Sequence, residues 1–259
     1  MAKLQDLFTQ ARRTQSGGSM GFLGKNRASS KAHAAALVVE FPQVSAGGAE
    51  SVLKAGADGL LFTWNGQDDA VLETIKKEID SAKATDKQVV AGLHLTGGWD
   101  NLDRERLNNL KDLGILYVIL PFNAPARLLA METKDVEKVV TIPIRTGDNY
   151  PIFIRNLTAF EGIAAILLDF ELSDESGSLS IEEVLQYRAV REAVRFPAFV
   201  YAASDIDEAS AYTLNTLGVQ AVILTANATE EKTRQDVKNL RELLEKVFQE
   251  DKDTPSIPK

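Results

Sequence analysis

The chain has 259 residues, of which 44% are hydrophobic and 25% charged, enough apolar side chains for a sizeable core and too many for a disordered polymer. With 29 basic against 37 acidic side chains the net charge is -8, a sign that repels phosphate backbones and anionic lipid, so nucleic acid and membrane surfaces are poor partners. There are no cysteines, which removes disulfides, thiolate metal sites and cysteine nucleophiles. The opening stretch MAKLQDLFTQARR has no continuous apolar run of a secretory leader, and the expected location is the cytoplasm.

In chain order, residues 1–30 hold an expected amphipathic helix and a glycine-rich connector. The helix, over residues 3–14, puts Leu4, Leu7, Phe8 and Ala11 on one stripe. The connector, Ser16 to Lys25, departs from a phosphate-binding loop at Ser19 and Asn26 and reads as a flexible link. His33 follows and reads as a structural or surface residue. From there a unit recurs four times: an amphipathic stretch, a glycine, then a short apolar run. The glycines are Gly56, Gly114, Gly162 and Gly218, and the runs after them are Leu60–Phe62, Tyr117–Leu120, Ala165–Leu168 and Ala221–Leu224. Glycine past the last helical turn closes a helix in the left-handed conformation, so each unit reads as helix, cap, strand. Further strand-like runs lie between them at Leu37–Phe41, Val89–Leu93, Val139–Ile144 and Pro197–Tyr201.

Eight apolar strands alternating with helices predict a parallel sheet covered by helices, because parallel neighbours need a crossover element. Eight such units close a barrel. The fold class is therefore α/β, a single-domain (βα)8 TIM barrel over residues 31–250 with an extra N-terminal helix, and residues 251–259 form a polar, disordered tail. A doubly wound sheet is the runner-up, but the turn after the first strand, Glu40-Phe41-Pro42-Gln43, has none of the glycines that fold uses there. The N-terminal helix then either closes the floor of the barrel or docks on a partner.

Barrels of this class carry their chemistry at the C-terminal ends of the strands, and side-chain alternation says which residues point inward. On strand six that set is Ala165, Leu167, Asp169 and Glu171; on strand one Val38 and Glu40; on strand three Val90, Gly92 and His94; on strand five Thr141, Pro143 and Arg145. Strand two offers Thr63 and Asn65, and strand eight Thr225 and Asn227. Strands four and seven stay open between Pro121 and Phe122, and between Tyr201 and Ala202. The candidate catalytic residues are thus Glu40, His94, Asp169 and Glu171, with Arg145, Asn65, Thr225 and Asn227 as candidate substrate ligands. His94 suits proton transfer near neutral pH, the acids suit proton acceptance or metal ligation, and the guanidinium suits a carboxylate or phosphate. The competing reading is a salt-bridge network of Arg145 with the acids, plugging the barrel top. The loops after strands seven and eight, Ala202-Ala203-Ser204-Asp205 and Ala226 to Glu231, contain no glycine, which disfavours a tightly held phosphate or flavin. No lysine ends a strand, so a Schiff-base mechanism has no nucleophile.

Leu113-Gly114 with Ile119-Leu120-Pro121-Phe122, and Gly162 through Leu172-Ser173, resemble the fourth and sixth strand segments of the pyruvate/phosphoenolpyruvate-type barrels, in particular the 2-keto acid aldolase and citrate lyase β-subunit family. The resemblance implies the barrel, carbon–carbon lyase chemistry on an oxo-acid, and a divalent metal held by a Glu ending strand five and an Asp ending strand six. Asp169 or Glu171 matches the second ligand; Arg145 stands where the first is implied, and the implied His after strand two is absent from Trp64-Asn65-Gly66-Gln67. The expected function is that of a lyase or isomerase acting on a small anionic metabolite, an oxo-acid or a phosphorylated compound, in a homo-oligomer. The alternative is a catalytically degenerate barrel acting as a binding or assembly subunit.

Overall fold

Each apolar run of the sequence pairs in parallel with the next, and the last pairs with the first, so the sheet closes into an eight-stranded barrel. The computed structural model describes residues 3–12, 35–85, 88–143, 145, 149–169 and 180–253. Its elements are α1 (Leu4–Arg12), β1 (Ala36–Phe41), α2 (Gly48–Ala55), β2 (Gly59–Trp64), α3 (Asp69–Thr85), β3 (Val90–Leu95), α4 (Arg104–Asn109), β4 (Ile115–Leu120), α5 (Arg127–Ala130), β5 (Glu137–Pro143), α6 (Tyr150–Arg155), β6 (Ile163–Asp169), α7 (Ile181–Val194), β7 (Ala198–Tyr201), α8 (Glu208–Leu217), β8 (Ala221–Thr225) and α9 (Glu230–Asp253). The (βα)8 architecture is the one the alternating pattern predicts. The glycine-rich connector, His33, Glu171 and residues 254–259 lie outside the described residues. Helix α9 runs to Asp253, so the helical barrel extends past residue 250 into the segment expected to be tail. No helix among the described residues is long and apolar enough to cross a membrane.

The glycine signal marks real chain reversals. Gly56, Gly114 and Gly218 close helical segments at φ of 113°, 87° and 65°, a region where a Cβ would be strained. Gly162, at φ 79°, instead turns the chain into β6 a few residues after a 3₁₀ turn over Asn156–Ala159.

Strand β5 begins at Glu137, two residues ahead of the apolar run, because both polar residues there have structural work. Glu137 accepts the Leu4 backbone N–H at 3.1 Å and so caps α1. Lys138 is fully buried and its Nζ donates to the carbonyls of Leu129, at 3.0 Å, and Met131, closing the end of α5. Helix α1 covers the floor of the barrel: Leu4, Leu7 and Phe8 are at most 2% exposed and pack with the interior side chains, with the Phe8 ring edge-on to Phe199 at 5.3 Å. At the same end Arg241 of α9 donates to the carbonyls of Ala35 and Gly56 and pairs with Asp58.

The strand register places the interior side chains in layers. Glu40 lies opposite Leu61, Phe62 opposite Leu93, His94 opposite Ile119, Leu120 opposite Val140, Thr141 opposite Leu167, Leu168 opposite Val200, and Tyr201 opposite Ile223. Advancing one residue at each strand step returns to Glu40 through Leu224 and Val39, which is the stagger a closed eight-stranded barrel requires. Side chains of alternate strands therefore share a level. From the floor upward these are Gly59, Tyr117, Ala165 and Ala221; then Val38, Gly92, Val139 and Phe199; then Leu61, Ile119, Leu167 and Ile223. The next level is polar: Glu40, His94, Thr141 and Tyr201. Thr63, Pro121, Asp169 and Thr225 form the rim above it. Gly92 is small because the Tyr117 ring occupies the space its side chain would need.

Candidate active site

The polar level is built from four odd-numbered strands, and three of its members are joined. Glu40 Oε1 lies 2.7 Å from His94 Nδ1, and Thr63 Oγ1, on the rim, donates to the same oxygen at 3.3 Å. The Tyr201 hydroxyl stands 3.4 Å from His94 Nδ1, close enough to the Glu40 carboxylate to feel its charge. A carboxylate at Nδ1 favours the tautomer with the proton there, which leaves the Nε2 lone pair for other work. Nε2 has no protein partner among the described residues. The side chain of Glu40 is 8% exposed and that of His94 23%, so the carboxylate is the more enclosed of the two and the imidazole the more accessible.

Burial and the Glu40 carboxylate both push the Tyr201 phenol well above its ordinary range, with a smaller contribution from Asp169. Tyr201 is therefore a neutral donor at any working pH. Tyr117, deeper in the barrel, is pushed up by burial first and Glu40 second. The fourth corner of the polar level, Thr141 Oγ1, is buried without a hydrogen-bond partner among the described residues, an arrangement proteins rarely leave unused.

The remaining sequence candidates separate. Asp169 is on the rim, exposed, beside Pro143 of β5. Thr225 is exposed on the rim next to Glu40. Asn65 and Asn227, expected to face the axis, do not reach it. Asn65 Oδ1 accepts the N–H groups of Gln67 and Asp68 at 3.0 and 3.1 Å and shapes its own loop. Asn227 Nδ2 donates to Asp236 at 2.7 Å and its N–H to Thr233 Oγ1 at 2.9 Å, which fastens the loop to α9. Both residues come after the last paired strand residue, where alternation no longer holds. Arg145 is exposed, with its guanidinium carbon 5.6 Å over the Phe122 ring, and has no carboxylate partner among the described residues. The plug of Arg145 paired with Glu40 or Asp169 is thus not formed. Tyr201 is the residue the sequence left open. A four-residue strand is too short to show its own alternation, but the barrel stagger counted from Glu40 selects it.

The implied divalent metal does not fit the residues present. Arg145 holds the position of one implied ligand, Glu40 Oε1 is taken up by Thr63 and His94, and no group of three potential ligands occurs among the described residues. A second familiar anion site is also filled from within: Glu78 of α3, buried, accepts the N–H groups of Gly47 and Ala49 at 2.9 and 3.3 Å, where a bound anion would cap α2.

No family model matches the sequence, and no curated protein does. Solved structures of similar architecture do. The chain is similar to tryptophan synthase from Mycobacterium tuberculosis, with a TM-score of 0.65 at 13% identity over 95% of this chain and 99% of that one. It is similar to the YdjI aldolase of Escherichia coli K12, with a TM-score of 0.59 at 16% identity over 96% and 97%. It is also similar to an HpcH/HpaI aldolase from Desulfitobacterium hafniense DCB-2, with a TM-score of 0.54 at 13% identity over 87% and 96%. At these identities the likeness is one of fold: the chain is a (βα)8 barrel, the architecture these structures share.

Proposed function

We propose that this barrel is a lyase or isomerase that moves a proton on a small anionic metabolite, with an oxo-acid preferred to a phosphorylated compound. The observation that carries the reading is the Glu40–His94 pair at the C-terminal end of the barrel, with Nδ1 on the carboxylate and Nε2 without a protein partner among the described residues. His94 Nε2 takes a proton from the carbon beside the substrate carbonyl, and the C–H electron pair passes into the enolate. Glu40 orients the imidazole and stabilises the imidazolium that forms, and the imidazolium returns the proton to the product. Tyr201, held neutral, stands against His94 Nδ1 and encloses the pair. Arg145 takes the acid group of the substrate, and Asp169 is a second carboxylate at the rim. The oxo-acid is preferred because the loops after β7 and β8 lack glycine and α9 opens with Glu230 and Glu231, which repel phosphate.

Solvent exchange at the carbon beside the carbonyl tests the proposal even while the product is unidentified. Deuterium should enter pyruvate or a longer 2-oxo acid in the presence of the protein, and His94→Gln should slow this by about 10²–10⁴-fold. Binding of oxo-acids with no exchange above the buffer rate would instead favour the binding or assembly subunit.

A further inference from the structure

Beside the mouth, between the β4–α5 loop and α6, lies a cavity of about 320 Å³. Its walls are Leu120, Pro121, Phe122, Leu129, Phe153 and Leu157 together with further apolar residues and one polar residue, Asn156, and no charged side chain lines it. Leu120 and Val140 face outward from the sheet, so this space is separate from the barrel interior, which it meets at Pro121. Its rim is aromatic. Phe122 and Phe153 meet edge to face at 6.5 Å, and Tyr150 stacks on Phe153 at 6.4 Å. Tyr150 is itself tied to β5 by a 2.5 Å bond from its hydroxyl to the Pro143 carbonyl, which anchors this wall. Phe153 is nevertheless 59% exposed, unusual for a phenylalanine that forms a cavity wall. Arg145 lies over the Phe122 ring at the same rim.

An uncharged cavity with a cation on its aromatic edge selects for a ligand that is apolar at one end and acidic at the other. We infer that the acid held by Arg145 carries an aromatic ring, and that the ring enters this cavity. The inference rests on the reading above that Arg145 takes the acid group of the substrate. The volume suits it: a cavity of about 150 Å³ lined by aliphatic and aromatic side chains accepts benzene. A benzyl or indolyl group therefore fits with room for its linker, whereas a two- or three-carbon acid leaves the cavity empty. The planar guanidinium matches a carboxylate fork to fork while its face stays on Phe122.

The test compares pyruvate, phenylpyruvate and phenylacetate by calorimetry on the full chain. Burial of the ring should make phenylpyruvate bind on the order of tenfold to a hundredfold more tightly than pyruvate. Ala124→Trp, which fills the cavity, should abolish that advantage and leave pyruvate unchanged; Leu157→Phe fills it from another wall if the first variant misfolds. Arg145→Met should weaken all three acids. Equal affinities for pyruvate and phenylpyruvate, or an advantage that survives both filled cavities, would overturn the inference. Phenylacetate has no carbonyl to enolise, so it separates the two readings. If it binds with the same sensitivity to Ala124→Trp while no oxo-acid exchanges its protons, the cavity assignment stands and the proton-transfer reading fails.

Discussion

Replacing Glu40 examines the core of the site, because one buried carboxylate holds two other side chains. Glu40 Oε1 receives His94 Nδ1 at 2.7 Å and Thr63 Oγ1 at 3.3 Å, and the Tyr201 hydroxyl stands 3.4 Å from the same imidazole nitrogen. In Glu40→Ala both donors lose their acceptor. A buried donor left unsatisfied costs about 1–3 kcal/mol, but two that share one acceptor do not add in full, and Thr63 and His94 have some access to water. The expected loss of stability is therefore about 2–3 kcal/mol, equivalent to roughly 4–6 °C in Tm for a chain of this size. Glu40→Gln keeps the volume and one acceptor oxygen, so it should fold with a smaller loss, of about 1–2 kcal/mol. Its effect should show in the imidazole. The chain has two histidines, so a His33 variant suffices to assign the ring nitrogens by NMR. In the wild type, neutral His94 should carry its proton on Nδ1; in Glu40→Gln the Nε2 tautomer should gain population. A wild-type His94 protonated on Nε2, or a tautomer indifferent to Glu40→Gln, would refute the assignment of Nε2 as the reacting nitrogen.

Three further outcomes follow from the packing. Gly92→Ala drives a methyl into the Tyr117 ring and should destabilise the barrel by about 1–3 kcal/mol in urea titrations, with partial rescue by Tyr117→Leu; a neutral Gly92→Ala would mean that the interior level is loosely filled. Tyr201 has its folded pKa above its unfolded one, so the unfolded chain loses this proton first and stability falls as pH rises past about 10. Wild type and Tyr201→Phe should accordingly show the same phenolate absorbance up to about pH 10.5, and a missing phenolate in the variant below that pH would count against a buried neutral phenol. Asp58→Ala leaves Arg241 buried without its counter-charge and the Leu37 N–H without its acceptor, and should cost about 3–5 kcal/mol by thermal unfolding while leaving ligand binding at the far end of the barrel unchanged.

What the amino-acid sequence determined by itself is the number and order of the elements. Glycine caps and short apolar runs are local signals: Gly56 or Gly218 closes its helix because of its own φ, and Val38 and Val39 are buried on both faces whatever lies beside them. Alternation also assigned Glu40, His94, Asp169 and Thr225 to the inner set, since each lies within a paired strand. Local signals stop at the strand ends. Asn65 and Asn227 are one or two residues beyond β2 and β8, and there the chain answers to loop hydrogen bonds rather than to the pleat. Arg145 leaves β5 in the same way and settles on Phe122. Only the tertiary structure decided which inner residues meet. Glu40, His94 and Tyr201 come from strands that do not pair directly, and the stagger accumulated around a closed barrel brings them to one level, a sum over all eight strands that no single segment contains.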